Sequence, residues 1–113
     1  MKKYKVYWSK EAVIDLEEIV DYVSKDRISA AKNIYETIKK RCSRLDTYPE
    51  TYRKVPELQE IGIQNYREII FPPYRIVYKL TETSIYIIAV LDGRRDFETF
   101  ILNRLLREEK EDR

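Results

Sequence analysis

Three strand-like runs follow one another in the second half of the chain, and the shortness of their links constrains the fold more than any other feature. The runs span residues 66–71, 74–80 and 85–91. They are rich in isoleucine, valine and tyrosine, which favour strands. Only Pro72 and Pro73 separate the first two runs, and 81–84 separate the second two. Because links this short join antiparallel neighbours, the sequence predicts a mainly antiparallel sheet.

The first half of the chain predicts one short strand and two helices. Tyr4, Val6 and Trp8 alternate with other residues, as in a strand. Ser9 is then a good helix N-cap. Two sets of apolar residues recur at spacings of three and four, which is typical of one buried helix face. They are Ala12, Val13, Leu16, Ile19, Val20 and Val23, and then Ala31, Ile34, Tyr35, Ile38, Cys42 and Leu45. Their short connection predicts an antiparallel helical hairpin.

The remaining segments complete the predicted order of elements. Residues 47–65 lack periodicity, which indicates a long surface loop. A last helix is expected from about 96 to 107, with Arg104 beside its apolar row and reaching solvent. The charged tail, 107–113, is expected to fray. The sequence therefore predicts one α+β domain over 1–113, ordered β-α-α-β-β-β-α, with the helical hairpin packed on a small mainly antiparallel sheet.

Composition excludes several classes of protein. The net charge is only +2, which argues against a general nucleic-acid coat protein. No apolar run approaches the length of a membrane span. A single cysteine cannot form an internal disulfide, so we expect a cytoplasmic protein. Residues 11–26 are mostly acidic and 27–44 mostly basic, which favours two solvated faces that attract each other across the hairpin.

Arginines at the end of the predicted sheet are the main candidates for function. Arg75 lies within the second run, and Arg94 and Arg95 follow the third, inside Asp92-Gly93-Arg94-Arg95-Asp96. Guanidinium groups bind anions well but remain protonated. The chain has no histidine, so the usual proton shuttle is missing. This combination favours gripping an anion or an acidic partner over acid–base catalysis.

Structural roles for the same residues stay open at this stage. Arg75 can pair with Glu68 or with an acidic residue on a helix. One of the pair Arg94 and Arg95 can brace the turn into the last helix, with Asp96 as its N-cap. If Pro72 and Pro73 alone form their loop, Glu68 shares a sheet face with Arg75. A three-residue loop would place Arg67 on that face instead.

Two motifs stand out in this order of elements, Tyr74-Arg75-Ile76-Val77-Tyr78 and Val90-Leu91-Asp92-Gly93-Arg94-Arg95-Asp96. Together they resemble the RelE/ParE superfamily of bacterial toxins, over roughly residues 4–106. The second motif and Tyr66-Arg67-Glu68 look more like its ParE, or plasmid-stabilisation, branch. The resemblance implies a toxin paired with a cognate acidic antitoxin. It also implies one of two targets, because ParE-like members poison DNA gyrase and RelE-like members cut mRNA in the ribosome.

Three hypotheses follow from the resemblance. The first is a non-enzymatic ParE-like inhibitor that acts on DNA gyrase. The second is a ribosome-dependent endoribonuclease in which Arg75 and Arg95 hold phosphate and Glu68 is the base. The stretch after Arg95 lacks the tyrosine or histidine of RelE-like nucleases, which argues against it. The third is an antitoxin-binding module without toxicity.

The candidate binding residues share a permanent or usual positive charge. They are Arg53, Lys54, Arg67, Arg75, Arg94 and Arg95. No metal-ligand spacing and no nucleotide-binding glycine loop occur in the sequence. We therefore expect no metal and no cofactor.

Overall fold

A computed structural model describes residues 3–111, with side chains described for 3–108. Its elements are β1 (Lys5–Trp8), α1 (Lys10–Ser24), α2 (Ile28–Ser43), a 3₁₀ turn (Arg44–Asp46), α3 (Pro56–Gln59), β2 (Tyr66–Phe71), β3 (Tyr74–Leu80), β4 (Ser84–Asp92) and α4 (Phe97–Glu111). The predicted order is confirmed, with α3 added. Helix α4 continues beyond the predicted end at residue 107. Within residues 3–111, no helix combines the length and the apolar character that crossing a bilayer requires.

The four strands form one mixed sheet in the order β1-β4-β3-β2. Strands β2, β3 and β4 are antiparallel neighbours, as predicted, and β1 pairs parallel to β4. Phe71 lies opposite Tyr74, so Pro72 and Pro73 alone form the link. This register places Glu68 opposite Val77 and on the same face as Arg75. Of the two loop lengths that the sequence left open, the structure therefore has the two-residue loop.

Helices cover both faces of the sheet. The α1–α2 hairpin buries its apolar stripe on one face, where Leu16, Ile38 and Cys42 pack against strand residues such as Ile76. The side chain of Ser9 accepts a hydrogen bond from the Ala12 backbone N–H, as expected of an N-cap. On the other face, α4 packs through two buried side chains, Phe97 and Ile101. Phe97 and Ile101 thus hold α4 over β3 and β4.

The segment from 47 to 65, predicted as a long surface loop, contains buried residues and the short helix α3. Its residues Val55 and Leu58 are buried against the α4 face of the sheet. Lys54 forms an isolated antiparallel bridge with Arg67, so this part of the segment pairs with the outer edge of β2. The prediction failed because a single bridge and the one-turn helix α3 are too short to produce a period in the sequence.

The prediction that Arg104 reaches solvent was wrong. Its side chain is only 8% exposed, and it donates to Asp15 Oδ2 at 2.7 Å and to the Ile88 carbonyl at 2.6 Å. Asp15 Oδ2 also accepts from the Val90 N–H at 3.0 Å. Strand β1 ends opposite Ile87, so these backbone groups of β4 lie beyond its reach. An arginine–aspartate pair thus satisfies the part of the strand edge that β1 leaves uncovered.

Charges of the hairpin are used differently from the expectation. Among residues 3–108, no ion pair joins α1 to α2. Two acids of α1, Glu11 and Asp15, instead bind Arg104 of α4, with Glu11 Oε2 2.8 Å from Arg104 Nε. Direct pairing of charges across the hairpin, which the sequence predicted, is therefore absent among these residues.

We expect Arg104→Ala to lower the free energy of unfolding by about 3 kcal/mol, because it leaves the carboxylate of Asp15 without its charged partner and the carbonyl of Ile88 without its side-chain donor. Urea denaturation measures this change. Arg107→Ala is the matched control, since Arg107 also contacts Glu11 but is 67% exposed. Its loss should stay below about 1 kcal/mol. Equal losses in the two variants would contradict the role of Arg104.

Candidate functional site

Arg75 lies at the centre of a buried ion-pair cluster on the α4 face of the sheet. Its Nε and Nη2 donate to the two oxygens of Glu68, at 2.6 and 2.9 Å. Its Nη1 and Nη2 donate to the two oxygens of Glu57 from α3, at 2.9 and 2.8 Å. The centre of the Phe97 ring of α4 lies 3.5 Å from the guanidinium carbon of Arg75. Arg75 is therefore held by two bidentate pairs and an aromatic face, and its side chain is only 12% exposed.

Glu68 is the most buried charge of the cluster. Its side chain is completely buried, and Oε2 also accepts from Arg53 Nε at 2.8 Å. Arg53 and Arg75 thus neutralise a carboxylate that no substrate can reach from solvent. A general base must lie within hydrogen-bond reach of the proton that it takes. The geometry therefore does not support Glu68 as the base of a nuclease.

The cluster also shifts the protonation of its members. The hydrogen bond from Arg75 holds the pKa of the Glu57 carboxyl below its ordinary value of 4.5. Burial lowers the pKa of Arg75, but hydrogen bonds to Glu57 and Glu68 outweigh it and raise that pKa further above its ordinary value. Both groups remain charged near neutral pH.

Gly93 brings the two sequence motifs into contact. A Cβ at this position would lie 2.8 Å from Cδ and 3.0 Å from Cγ of Arg75. The Gly93 N–H donates to the Pro73 carbonyl at 2.8 Å. Its φ is not in the left-handed region, so space, and not backbone freedom, requires a glycine here. The stem of Arg75 thus passes directly over the turn that carries Arg94 and Arg95.

The turn after β4 places its two arginines in different environments. Arg94 Nη2 lies 2.6 Å from Asp92 Oδ2, and this hydrogen bond lowers the pKa of Asp92 to about 2. Arg95 is exposed, and within residues 3–108 its side chain has no hydrogen-bond or ion-pair partner. Asp96 Oδ1 accepts from the Thr99 N–H at 3.2 Å and so caps α4. The bracing role that the sequence left open therefore falls to Arg94.

A cleft of about 700 Å³ opens beside this turn, between α1 and the ends of β3 and β4. Ile19 and Tyr22 line it from α1, Tyr74 lines it from β3, and Arg94 and Arg95 lie at its side. Burial and then the charge of Asp92 raise the pKa of Tyr74, so its hydroxyl stays protonated near neutral pH. The cleft thus offers apolar and cationic groups for binding, beside the carboxylates of Asp15, Glu18 and Asp92, of which Asp15 and Asp92 are paired with arginines.

The candidate cations of the sequence lie in three places and do not form one site. Arg53 and Arg75 meet in the cluster with Glu68, whereas the Arg94–Arg95 turn carries the second group. Arg67 lies on the hairpin face, where Nη1 donates to the Tyr52 carbonyl at 2.7 Å. Beside it, Lys54 Nζ lies 3.3 Å from Gln64 Oε1. Of the three arginines expected at the end of the sheet, Arg75 is therefore buried in the cluster, whereas Arg94 and Arg95 lie on the turn.

Sequence reasoning missed Glu57, the second acid bound to Arg75. The sequence predicts a loop for its segment, although Pro56 at a helix start, followed by Leu58, is a weak local signal for α3. Within the described chain, no group of three or more histidine, cysteine, aspartate and glutamate side chains is suited to hold a metal ion. The described arginines and lysines of this arrangement are groups suited to binding an anion or an acidic partner.

We expect Glu57→Gln to weaken the pH dependence of stability below pH 4.5. The folded pKa of Glu57 lies below its unfolded value, so the ionised carboxyl stabilises the fold above pH 4.5 and loses this effect as pH falls through the folded pKa. Urea midpoints across that range measure it. The exposed Glu60→Gln is the control and should keep the wild-type slope. An unchanged slope in Glu57→Gln would contradict the pairing with Arg75.

Comparisons with known proteins agree with this geometry. Residues 6–97 match the family model described as the ParE toxin of type II toxin–antitoxin system, parDE. No curated protein matches the sequence. The chromosomal ParDE toxin–antitoxin system of P. aeruginosa has a similar structure, with a TM-score of 0.62, 18% identity, and coverage of 78% of this chain and 94% of that one. A mutant of the E. coli toxin RelE in the free state gives a TM-score of 0.61, 16% identity, and coverage of 86% and 90%.

These findings have different weight. At such low identity, the two structures show a shared fold and do not separate the ParE activity from the RelE activity. The match to the family model identifies the family of the chain, because it spans most of the 113 residues and includes both sequence motifs. The chain belongs to the ParE toxin family of type II toxin–antitoxin systems.

Proposed function

We propose that this toxin arrests growth by binding a protein target, DNA gyrase, and that it does not cleave RNA. The observation that supports this proposal most is the state of Glu68, whose buried carboxylate already accepts hydrogen bonds from Arg53 and Arg75. Cleavage through the 2′-hydroxyl needs a base that reaches the hydroxyl and a cation free to bind the phosphate. In the cluster the candidate base, Glu68, and the candidate phosphate-binding cation, Arg75, are hydrogen-bonded to each other.

Other side chains are poor substitutes for the missing base. Burial raises the pKa of Tyr74 and of Tyr78, which keeps both hydroxyls protonated. Burial likewise raises the pKa of the Cys42 thiol to about 12, so this residue is an inert part of the core. The chain has no histidine. These features favour recognition over catalysis.

The surface that we assign to the target is the Arg95 side of the cleft. Arg95 is exposed and, within residues 3–108, its side chain has no hydrogen-bond or ion-pair partner, although its charge acts on nearby Asp92. Tyr22 and Tyr74 lie along the same cleft. Arginine and tyrosine are the residue types that most often dominate the binding energy of protein interfaces. Arg75 would then act as a positioning residue, because its stem packs on Gly93 beneath the turn.

A toxin of this family has a cognate antitoxin. We propose that its acidic segment covers the same cleft, placing apolar side chains near Ile19 and a carboxylate near Arg95. Target and antitoxin would then compete for one surface. This arrangement explains how an antitoxin could silence an inhibitor that has no catalytic group to block.

We expect the purified toxin to inhibit DNA supercoiling by gyrase, and Arg95→Ala to weaken this inhibition at least about tenfold, which corresponds to about 1.4 kcal/mol of lost binding. Arg107→Ala is the control, since it removes an exposed arginine of α4 away from the cleft. Growth arrest on expression should fall in parallel in the Arg95→Ala variant.

Two results would overturn the proposal. Intact gyrase activity together with cleavage of mRNA on translating ribosomes would establish the RelE-like endoribonuclease instead. The absence of any growth arrest, at matched expression and stability, would leave an antitoxin-binding module without toxicity.

A further inference from the structure

The partners of the cations divide them into two groups. Arg75, Arg94 and Arg104 are each neutralised by carboxylates. Among residues 3–108, Arg41 and Arg67 are held only by neutral acceptors. Arg41 Nη1 donates to the Ile70 carbonyl at 3.4 Å, and Arg67 Nη1 donates to the Tyr52 carbonyl at 2.7 Å. A guanidinium fixed by backbone carbonyls keeps its full charge, so it can bind a further anion.

Arg41 and Arg67 lie on one surface, which Lys54 shares. Lys54 and Arg67 are cross-strand partners and therefore point to the same side of the β2 edge. At the other end of β2, the Arg41 guanidinium lies 5.0 Å from the centre of the Phe71 ring. Four residues of strand separate Arg67 from Phe71, which is roughly 13 Å. The cations thus extend along the whole edge strand.

Helix α2 adds two more charges to this surface. Arg44 follows Arg41 by three residues and Lys40 by four, so the three side chains are neighbours on one helix flank. Lys40 and Arg44 are exposed and have no side-chain partner within residues 3–108. We call the surface formed by Lys40, Arg41, Arg44, Lys54 and Arg67 the basic face. Two carboxylates belong to the same region, Asp46, whose Oδ1 accepts from Thr47, and the exposed Glu50.

We propose that the basic face binds the phosphate backbone of a nucleic acid, without sequence preference and without cleavage. An acidic peptide would need an apolar groove beside the cations. Tyr48 is a large apolar side chain exposed beside the cations, whereas Val13, Ile14 and Tyr22, which are also exposed, lie on α1. A polyanion of uniform charge needs no such groove.

Tyr48 adds a second feature typical of nucleic-acid binding. Its side chain is 63% exposed, and it lies in the segment whose carbonyls, at Glu50 and Tyr52, hold Arg67. An exposed aromatic ring beside fixed cations can stack on an unpaired base. The basic face is separate from the Arg95 cleft, so one molecule can hold a protein through the cleft and a nucleic acid through the β2 edge.

The test is fluorescence anisotropy of the purified full chain with a labelled short DNA duplex and a single-stranded RNA. Binding should weaken linearly with salt on logarithmic axes, because each phosphate contact releases counterions. Lys40→Gln with Arg44→Gln should weaken binding of both probes about tenfold and reduce the salt slope by roughly two. Neither side chain has a partner among residues 3–108, so folding should be unaffected.

Lys10→Gln with Lys25→Gln is the matched control, because it removes the same charge from exposed positions of α1 and its C-cap. Its affinity should stay within about twofold of wild type. Absence of salt-dependent binding, or equal weakening in the two double variants, would overturn the proposal. Competition by polyglutamate as strong as that by the nucleic acid would overturn the assignment to phosphate. Since gyrase is absent from this assay, its outcome is independent of the proposed target.

Discussion

The fold depends on the burial of the Arg75 guanidinium between two carboxylates. Glu68 reaches it from β2, Glu57 from α3 and the Phe97 ring from α4, so one side chain joins three elements to β3. Removing one member of such a buried pair leaves an unpaired charge, which costs several kcal/mol. We infer that the cluster also selects the strand register. A one-residue slip of β2 would move Glu68 to the hairpin face, away from both of its arginines.

Arg104 performs a similar task at the opposite edge of the sheet. With Asp15 it satisfies backbone groups of β4 beyond the end of β1 and ties α4 to α1. The two buried arginines, Arg75 and Arg104, therefore stabilise the architecture. The cations available to partners are those that do not form an ion pair with a carboxylate. This division separates the Arg95 cleft, which we assign to protein partners, from the basic face. It also explains how a small net charge coexists with strongly cationic regions.

Local patterns in the sequence predicted much of the fold. The helical hairpin, the Ser9 cap and the antiparallel strands rest on periodicity and short links, which a single segment displays. The site was predicted less well. The partners of Arg75 and Arg104 lie far away in the sequence, with Arg104 and Asp15 separated by 89 residues, so no local period reveals them. Glu57 was missed because a one-turn helix leaves no repeating pattern, and Gly93 was explained only by the position of the Arg75 stem.

The central claim is that Arg75, the most buried arginine of the sheet, stabilises the fold through its ion pairs. A double-mutant cycle between Arg75 and Glu57 tests this claim most directly. The free energies of unfolding of Arg75→Met, Glu57→Leu and the double variant would be compared with wild type. We expect a coupling energy of about 1–3 kcal/mol, with the double variant more stable than the sum of the single losses implies. Additive losses, with no coupling between the two positions, would contradict the account.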